Sequence, residues 1–185
     1  MHTNTRLGLS TFLVLAASTG CVSFAQSIHE DEMPSSGDAY LYGRFFMKRT
    51  IDTLYGTHGS MGLDFACQNN NKTYTIGFAV EDPVQVIRIP GGDVCSLVSI
   101  TYSDSVGGWA GTDPVPSKAL SRAIHFEAGK AYYLGDFVGS FGYAGVNTLR
   151  WEVTDVRDDF LKTTREMKSI FHNLSAIPTE NKTML

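Results

Sequence analysis

Side chains that alternate between apolar and polar at every second position constrain this chain more than any other feature. Four separate segments carry the alternation, at residues 61–67, 74–80, 124–126 and 149–153. Successive side chains of a β-strand point to opposite faces, so each segment predicts a strand with one buried face. The sequence therefore predicts a chain built mainly from β-strands.

Further strands are expected where apolar runs end at clusters of Asn, Asp, Pro and Gly. These runs are residues 39–48, 84–89, 94–102 and 131–138. Short strands of roughly even spacing, without helices between them, are typical of a sandwich or a barrel. We predict a mainly β fold, an antiparallel β-sandwich of about 7–8 strands, as a domain over residues 39–155.

One segment departs from this pattern near the C-terminus. Apolar residues recur there at helical spacing, which predicts an amphipathic α-helix over residues 156–174, capped by Thr154 or Asp155. Its polar residues mix both charges, whereas a membrane-surface helix is usually basic on its polar face. We therefore expect the helix to pack on the sandwich, with a membrane-surface helix as the alternative.

The first predicted strand is apolar on both faces. Leu41, Phe45 and Met47 lie on one face, and Tyr40, Tyr42 and Phe46 lie on the other. The C-terminal helix is the expected cover for the second face. If that face were exposed, it would suggest the contact surface of a structural subunit in a larger envelope assembly.

The N-terminus has the pattern of a secretory signal peptide, predicted over residues 1–20. Its uncharged run is too short to span a membrane, which takes roughly 20 apolar residues. Ser-Thr-Gly-Cys at residues 18–21 resembles a lipobox and would make Cys21 the lipidated N-terminus, although Ser18 stands where leucine is usual. Cleavage after Ala25, behind small residues at 23 and 25, is the competing possibility.

Export predicts a location in the bacterial cell envelope. A lipid-anchored protein on the periplasmic face of the outer membrane is the first expectation, and a soluble periplasmic or secreted protein is the alternative. Residues 21–38 are polar and without periodicity, so they are predicted to form a polar tether. Residues 175–185 are predicted to form a flexible tail.

The cysteine count predicts a disulfide. Lipidation or removal of Cys21 leaves Cys67 and Cys95 as an even pair. A pair in an oxidising compartment is typical of a disulfide, so we predict a Cys67–Cys95 bridge. A structural zinc site needs four ligands at short spacing, and neither CxxC nor HxxxH is present, so no metal site is predicted.

No established catalytic motif is found in the sequence. HExxH, Walker A and dinucleotide-binding patterns are absent, and residues 58–62 approach the GxSxG pattern with His58 in the place of the first glycine. His125 lies on the polar side of its predicted strand. We therefore predict no catalytic residue and no cofactor, and retain a hydrolase using His58 and Ser60 as an alternative.

Two glycine-rich stretches carry aromatic residues, at residues 106–111 and 139–145. Rigid aromatic side chains on loops serve sugar- and peptide-binding proteins as stacking platforms. Trp109, Phe141 and Tyr143 are therefore the candidate ligand-binding residues. The alternative is that these rings fold back over the open end of the sandwich.

Two motifs occur together, an apolar strand followed by Pro-Gly at residues 86–91 and an F-x-x-G-K-x-Y-Y hairpin within residues 124–135. Together they resemble a family of uncharacterised bacterial envelope lipoproteins with a transthyretin-like or carboxypeptidase-regulatory-like sandwich. The resemblance covers roughly residues 74–139 and departs from the family at Cys95, near which an aromatic is more usual. It implies the fold and an envelope location, without an activity.

The acidic composition bears on possible partners. A net charge of −4 and a pI of about 5.7 disfavour a nucleic-acid-binding function, which needs a basic face. The first hypothesis is a non-enzymatic envelope lipoprotein that acts as a binding or accessory module. Its partners would be the membrane, through the lipid, and an envelope protein or glycan.

Overall fold

A computed structural model describes residues 22–48, 59–80, 83–104, 109–115, 122–143 and 149–184. The strands of this part of the chain are β1 (Val22–Phe24), β2 (Gln26–Ser27), β3 (Asp38–Lys48), β4 (Gly59–Cys67), β5 (Thr73–Ala79), β6 (Gln85–Pro90), β7 (Asp93–Asp104), β8 (Trp109–Pro114), β9 (Ile124–Phe126), β10 (Ala131–Tyr143), β11 (Leu149–Arg157) and β12 (Thr179–Asn181). The helix α1 (Phe160–Ile170) and a short 3-10 turn (His172–Leu174) follow β11.

The strands form two six-stranded sheets. The first has the order β1-β5-β4-β7-β8, with β9 also paired to β7, and the second has the order β11-β10-β3-β6-β2, with β12 also paired to β10. The mainly β, two-sheet fold with one helix confirms the predicted class. Three strand pairs are parallel, however, namely β1 with β5, β3 with β10, and β10 with β12. Between β3 and β10 the chain visits the first sheet twice, and it returns once to the second sheet as β6, which is antiparallel to β3.

Alternation along the strands builds the main core between the two sheets. Its buried side chains include Leu41, Phe45, Leu63, Phe65, Phe78, Leu97, Phe126, Leu134 and Phe137. At one end Tyr102 of the first sheet stacks on Trp151 of the second, with ring centroids 5.0 Å apart. The period-two pattern in the sequence is thus explained by burial of one face of each sheet.

The second sheet is covered on its other face by α1. Tyr40, Tyr42 and Tyr133 form a second apolar cluster there with Met167 and Phe171. The predicted packing of the helix on the sandwich is confirmed. Of the face that could have served a structural subunit as its contact surface, Tyr40 and Tyr42 are covered within the chain, whereas Phe46 is half-buried and lies outside this cluster.

The boundaries of the helix differ from the predicted 156–174. Strand β11 continues to Arg157, and α1 begins at Phe160 behind the N-cap Asp159. Strand β11 continues because its residues up to Arg157 pair with β10, and Arg157 pairs with Asp136. The predicted cap at Thr154 or Asp155 is therefore wrong, because both residues lie within the strand.

Both predicted loose segments take part in the fold. Within the predicted tether 21–38, β1 joins the first sheet, β2 joins the second, and Ile28 is buried beneath α1. Within the predicted tail 175–185, β12 pairs with β10, and Met184 is 2% exposed in the main core. Neither prediction could anticipate these contacts, because short segments can pair at a sheet edge without a periodic pattern of their own.

The predicted hairpin within residues 124–135 is a crossing between the sheets. β9 pairs with β7 in the first sheet, whereas β10 belongs to the second. Phe126 contacts Tyr132 across the core, with ring centroids 5.2 Å apart, and Tyr133 faces the helix. Gly129, at φ +78°, makes the turn and donates its N–H to the carbonyl oxygen of Asp38 at 2.7 Å.

Candidate functional site

The predicted disulfide is present. Cys67 and Cys95 are directly opposite each other in the β4–β7 pair, and a disulfide joins them. Both are buried, at 5% and 0% exposure, so the bridge lies in the main core. Cys21, the predicted lipidation site, lies outside the described residues, and strand β1 begins at the next residue, Val22.

Two of the predicted binding residues, Trp109 and Tyr143, lie at one end of the sandwich, in opposite sheets. Tyr102 and Phe141 contact each other across the core, with ring centroids 5.5 Å apart. Trp109 pairs with Asp104, two residues beyond Tyr102, and Tyr143 lies two residues beyond Phe141. We call this region, marked by Asp104, Trp109 and Tyr143, the loop end.

Phe141 does not fit its predicted binding role. It is 4% exposed and belongs to the main core, so its ring packs against Tyr102 instead of facing a ligand. Its position in β10 explains the burial, because residues 137 and 141 lie on the core face of that strand. The candidate binding residues are thus reduced to Trp109 and Tyr143, whose side chains lie outside the part of the chain that the structure describes.

A buried carboxylate also lies at the loop end. Asp104 is 1% exposed and accepts a hydrogen bond from the Tyr102 hydroxyl at 3.4 Å. Burial raises the pKa of Tyr102, and the charge of Asp104 raises it further. The Tyr102 hydroxyl therefore stays protonated and remains a hydrogen-bond donor at neutral pH.

The structure reveals a buried charge cluster that the sequence did not indicate. It consists of Arg44, Asp136, Thr163 and Glu166, between the second sheet and α1. Arg44 pairs with Glu166 and lies 3.9 Å from Asp136, and the Thr163 hydroxyl donates to Asp136 at 3.1 Å. The sequence signal for this cluster was a charged residue in the interior of an apolar strand, Arg44 in β3 and Asp136 in β10.

A β-bulge places Asp136 in this cluster. The register between β3 and β10 shifts between Tyr133 and Gly135, and Gly135 has a φ of +130°. Strict alternation from Tyr133 would put residue 136 on the core face. The extra residue turns Asp136 toward the helix instead, on the same side as Tyr133.

The cluster perturbs the acid–base behaviour of two groups. Burial raises the pKa of Asp136, while the neighbouring hydroxyls of Tyr133 and Thr163 and the charge of Arg44 oppose that rise. Burial also raises the pKa of Tyr133, whose hydroxyl donates to the Arg157 carbonyl oxygen at 3.0 Å. The arrangement holds α1 on the sheet through polar as well as apolar contacts.

The residues of the alternative hydrolase are only partly described. His58 lies outside the described residues, and the Ser60 hydroxyl lies 3.4 Å from the Ser103 hydroxyl. His125 is exposed. Among the described residues, no group of three or more His, Cys, Asp or Glu side chains is placed to hold a metal ion.

Comparisons with protein families, curated proteins and solved structures each find no match to this chain. Within the described ranges, no helix is long and apolar enough to cross a membrane. A function for this protein must therefore be inferred from the chemistry of its own residues.

Proposed function

We propose that this protein is a non-enzymatic lipoprotein of the bacterial cell envelope, anchored through Cys21 to the periplasmic face of the outer membrane. In this proposal the sandwich acts as a binding or accessory module. Trp109 and Tyr143 at the loop end contact an envelope glycan or protein. The resemblance of the chain to exported lipoproteins points in the same direction.

The observation that carries the proposal is the pairing of residues 22–25, which lie between the two candidate processing sites. Strand β1 starts at Val22 and pairs with β5, and the Ala25 N–H donates to the Thr75 carbonyl oxygen at 3.1 Å. Cleavage after Ala25 would remove both contacts and leave β5 as an open sheet edge. Processing at Cys21 keeps the first sheet whole, which favours the lipobox over the competing site.

The Cys67–Cys95 bridge supports an exported location. Disulfides form and persist in oxidising compartments such as the bacterial periplasm. The bridge is buried between paired strands, so it is a structural element and not an exposed, exchanging thiol pair.

Detergent phase partitioning of the expressed protein tests the anchor. We expect the wild-type protein to be lipidated and to enter the detergent phase. We expect the Cys21→Ser protein to carry no lipid, so it should be absent from the lipidated protein recovered in that phase. Ser18→Leu is the matched control, because it changes the same leader and supplies the residue usual in a lipobox. A Cys21→Ser chain with the same processed mass as wild type would contradict the anchor.

Titration with soluble peptidoglycan fragments tests the glycan branch of the proposed binding role. Trp109→Ala and Tyr143→Ala are each expected to weaken binding, since stacking on an aromatic ring is lost. Lys48→Ala, an exposed change on a neighbouring strand, is the control and should bind like wild type. Binding that is unchanged by both aromatic substitutions would contradict the role given to the loop end.

A further inference from the structure

The outward face of α1 is positively charged in an otherwise acidic protein. Thr163 and Met167 are buried against the sheet, and Leu161, Lys162 and Arg165 are exposed. Leu161 is 78% exposed, an unusual position for a large apolar side chain. The exposed face of the helix therefore combines cations with an apolar group.

The mixed charges seen in the helix sequence are separated in the fold. Glu166 turns toward the sheet and pairs with Arg44. What remains outward are Lys162, Arg165 and the partly exposed Lys168, and none of the three forms an ion pair among the described residues. We call these three residues the cationic stripe. They lie three residues apart, along one side of the helix.

We propose that the cationic stripe and Leu161 form a docking surface for an anionic phospholipid membrane. Lys and Arg are attracted to anionic headgroups, and an apolar side chain between them gains by entering the interface. The helix stays packed on the sandwich and presents only its outer side. This inference rests on the proposed function in one respect, since the anchor at Cys21 is what brings the domain to a bilayer.

The path of the chain places the helix within reach of the anchored end. Ile28 packs beneath α1 with Met167, and it lies seven residues beyond the proposed anchor at Cys21. An extended chain covers at most about 3.6 Å per residue, so this segment spans no more than about 25 Å. A domain held at Cys21 can therefore bring α1 to the same membrane.

Acidic residues lie near both ends of the stripe. Asp158 precedes the helix and accepts hydrogen bonds from Asn181 at 2.9 Å. At the other end the Asn173 side chain donates to the Asp31 carbonyl oxygen at 2.9 Å, beside the exposed Glu30. These carboxylates oppose binding to an anionic surface, and salt limits the range of their repulsion to about one Debye length.

Vesicle co-sedimentation tests the docking surface independently of the lipid anchor. All chains carry Cys21→Ser, so no acyl chain contributes and the leader contributes equally to each. Binding to phosphatidylglycerol–phosphatidylcholine vesicles is compared with binding to phosphatidylcholine vesicles. Lys162→Gln/Arg165→Gln is expected to weaken binding to the anionic vesicles about 30-fold at low salt.

A control pair removes the same charge elsewhere. Lys48→Gln/Arg150→Gln changes two exposed residues on strands, and it should leave vesicle binding within about twofold of the parent. Glu30→Gln/Asp31→Asn should bind more tightly than the parent. Equal binding to both vesicle types, no vesicle binding, or equal losses in the two charge-neutralised pairs would each overturn the proposal.

Loss of the detergent-phase protein and loss of vesicle binding are separate outcomes. A chain that is never lipidated but still needs Lys162 and Arg165 for anionic vesicles would contradict the anchor and keep the docking surface. A lipidated chain in which Lys162→Gln/Arg165→Gln leaves vesicle binding unchanged would keep the anchor and contradict the docking surface.

Discussion

Arg44→Met is the substitution that tests the buried charge cluster most severely. The side chain of Arg44 is 12% exposed and that of Asp136 is 3% exposed, so their interaction is little screened by water. Removing one partner of a buried ion pair costs about 3–5 kcal/mol, because the other charge is left without compensation. Thr163 still donates to Asp136, so we expect the lower end, a loss of about 3 kcal/mol in the free energy of unfolding.

Two further variants separate the contributions to this loss. Glu166 is 32% exposed, so Glu166→Gln should cost about 1 kcal/mol or less. Arg44→Met/Asp136→Leu removes both buried charges and should recover most of the stability lost in Arg44→Met. Urea unfolding followed by tryptophan fluorescence measures all three, since Trp151 is 2% exposed in the core.

The effect of Arg44→Met should shrink as the pH falls. Burial raises the pKa of Asp136 above its ordinary value of 3.8, and Arg44 opposes that rise. The folded protein thus holds this proton more tightly than the unfolded chain, so stability falls as pH rises through the window above 3.8. Without Arg44, the pKa of Asp136 in the folded protein rises further above its ordinary value. The variant therefore gains more stability than wild type on acidification from pH 7 toward pH 4.

Either of two results would contradict a coupled, buried ion pair between Arg44 and Asp136. One is an Arg44→Met variant as stable as wild type at pH 7. The other is a double variant whose loss equals the sum of the losses of Arg44→Met and Asp136→Leu, because independent sites add and coupled charges do not.

Three other predictions concern the covalent and backbone features of the fold. Cys67→Ala/Cys95→Ala opens a loop with a sequence separation of 28, and the chain-entropy relation gives a loss of about 3–4 kcal/mol, measurable by urea unfolding. Met184→Ala removes a side chain that is 2% exposed and should cost about 3 kcal/mol, with faster proteolysis of the C-terminal residues. Gly135→Ala should lower the melting temperature by several degrees, because φ is +130° and the new Cβ would lie 2.6 Å from Val156. A melting temperature unchanged in the glycine variant would contradict the bulge, and an unchanged unfolding free energy would contradict either of the others.

The sequence was sufficient for the features that repeat. Period-two alternation predicted the strands, and helical spacing near the C-terminus predicted a helix over the Tyr40 and Tyr42 face. The even cysteine pair predicted the Cys67–Cys95 bridge. Each of these signals arises from burial or from covalent chemistry, and both act locally on the residues that carry them.

Features that depend on distant partners could not be predicted in the same way. Strand direction in the second sheet follows from the route of the chain between β3 and β10, which alternation does not encode. The short strands β1, β2 and β12 obtain their hydrogen bonds from neighbours, so their sequences resemble a tether and a tail. Asp136 faces the helix only because of the bulge at Gly135, which shifts the pattern by one residue.

The candidate site shows the same division. The two glycine-rich stretches were expected to be loops, yet their described residues belong to β8 and β10, and Phe141 is in the core. The charges of α1 could be counted from the sequence, but the pairing of Glu166 with Arg44 becomes visible only in the fold. The cationic stripe therefore follows from the arrangement of the residues and not from their composition.

The intact mass of protein expressed with its own leader, before and after reduction and alkylation, tests the lipid anchor and the disulfide together. We expect a chain that begins at an acylated Cys21, with no thiol alkylated before reduction and with Cys67 and Cys95 alkylated after it. A lipid-free mass that begins at Gln26 would contradict the anchor, and alkylation of either cysteine without reduction would contradict the disulfide.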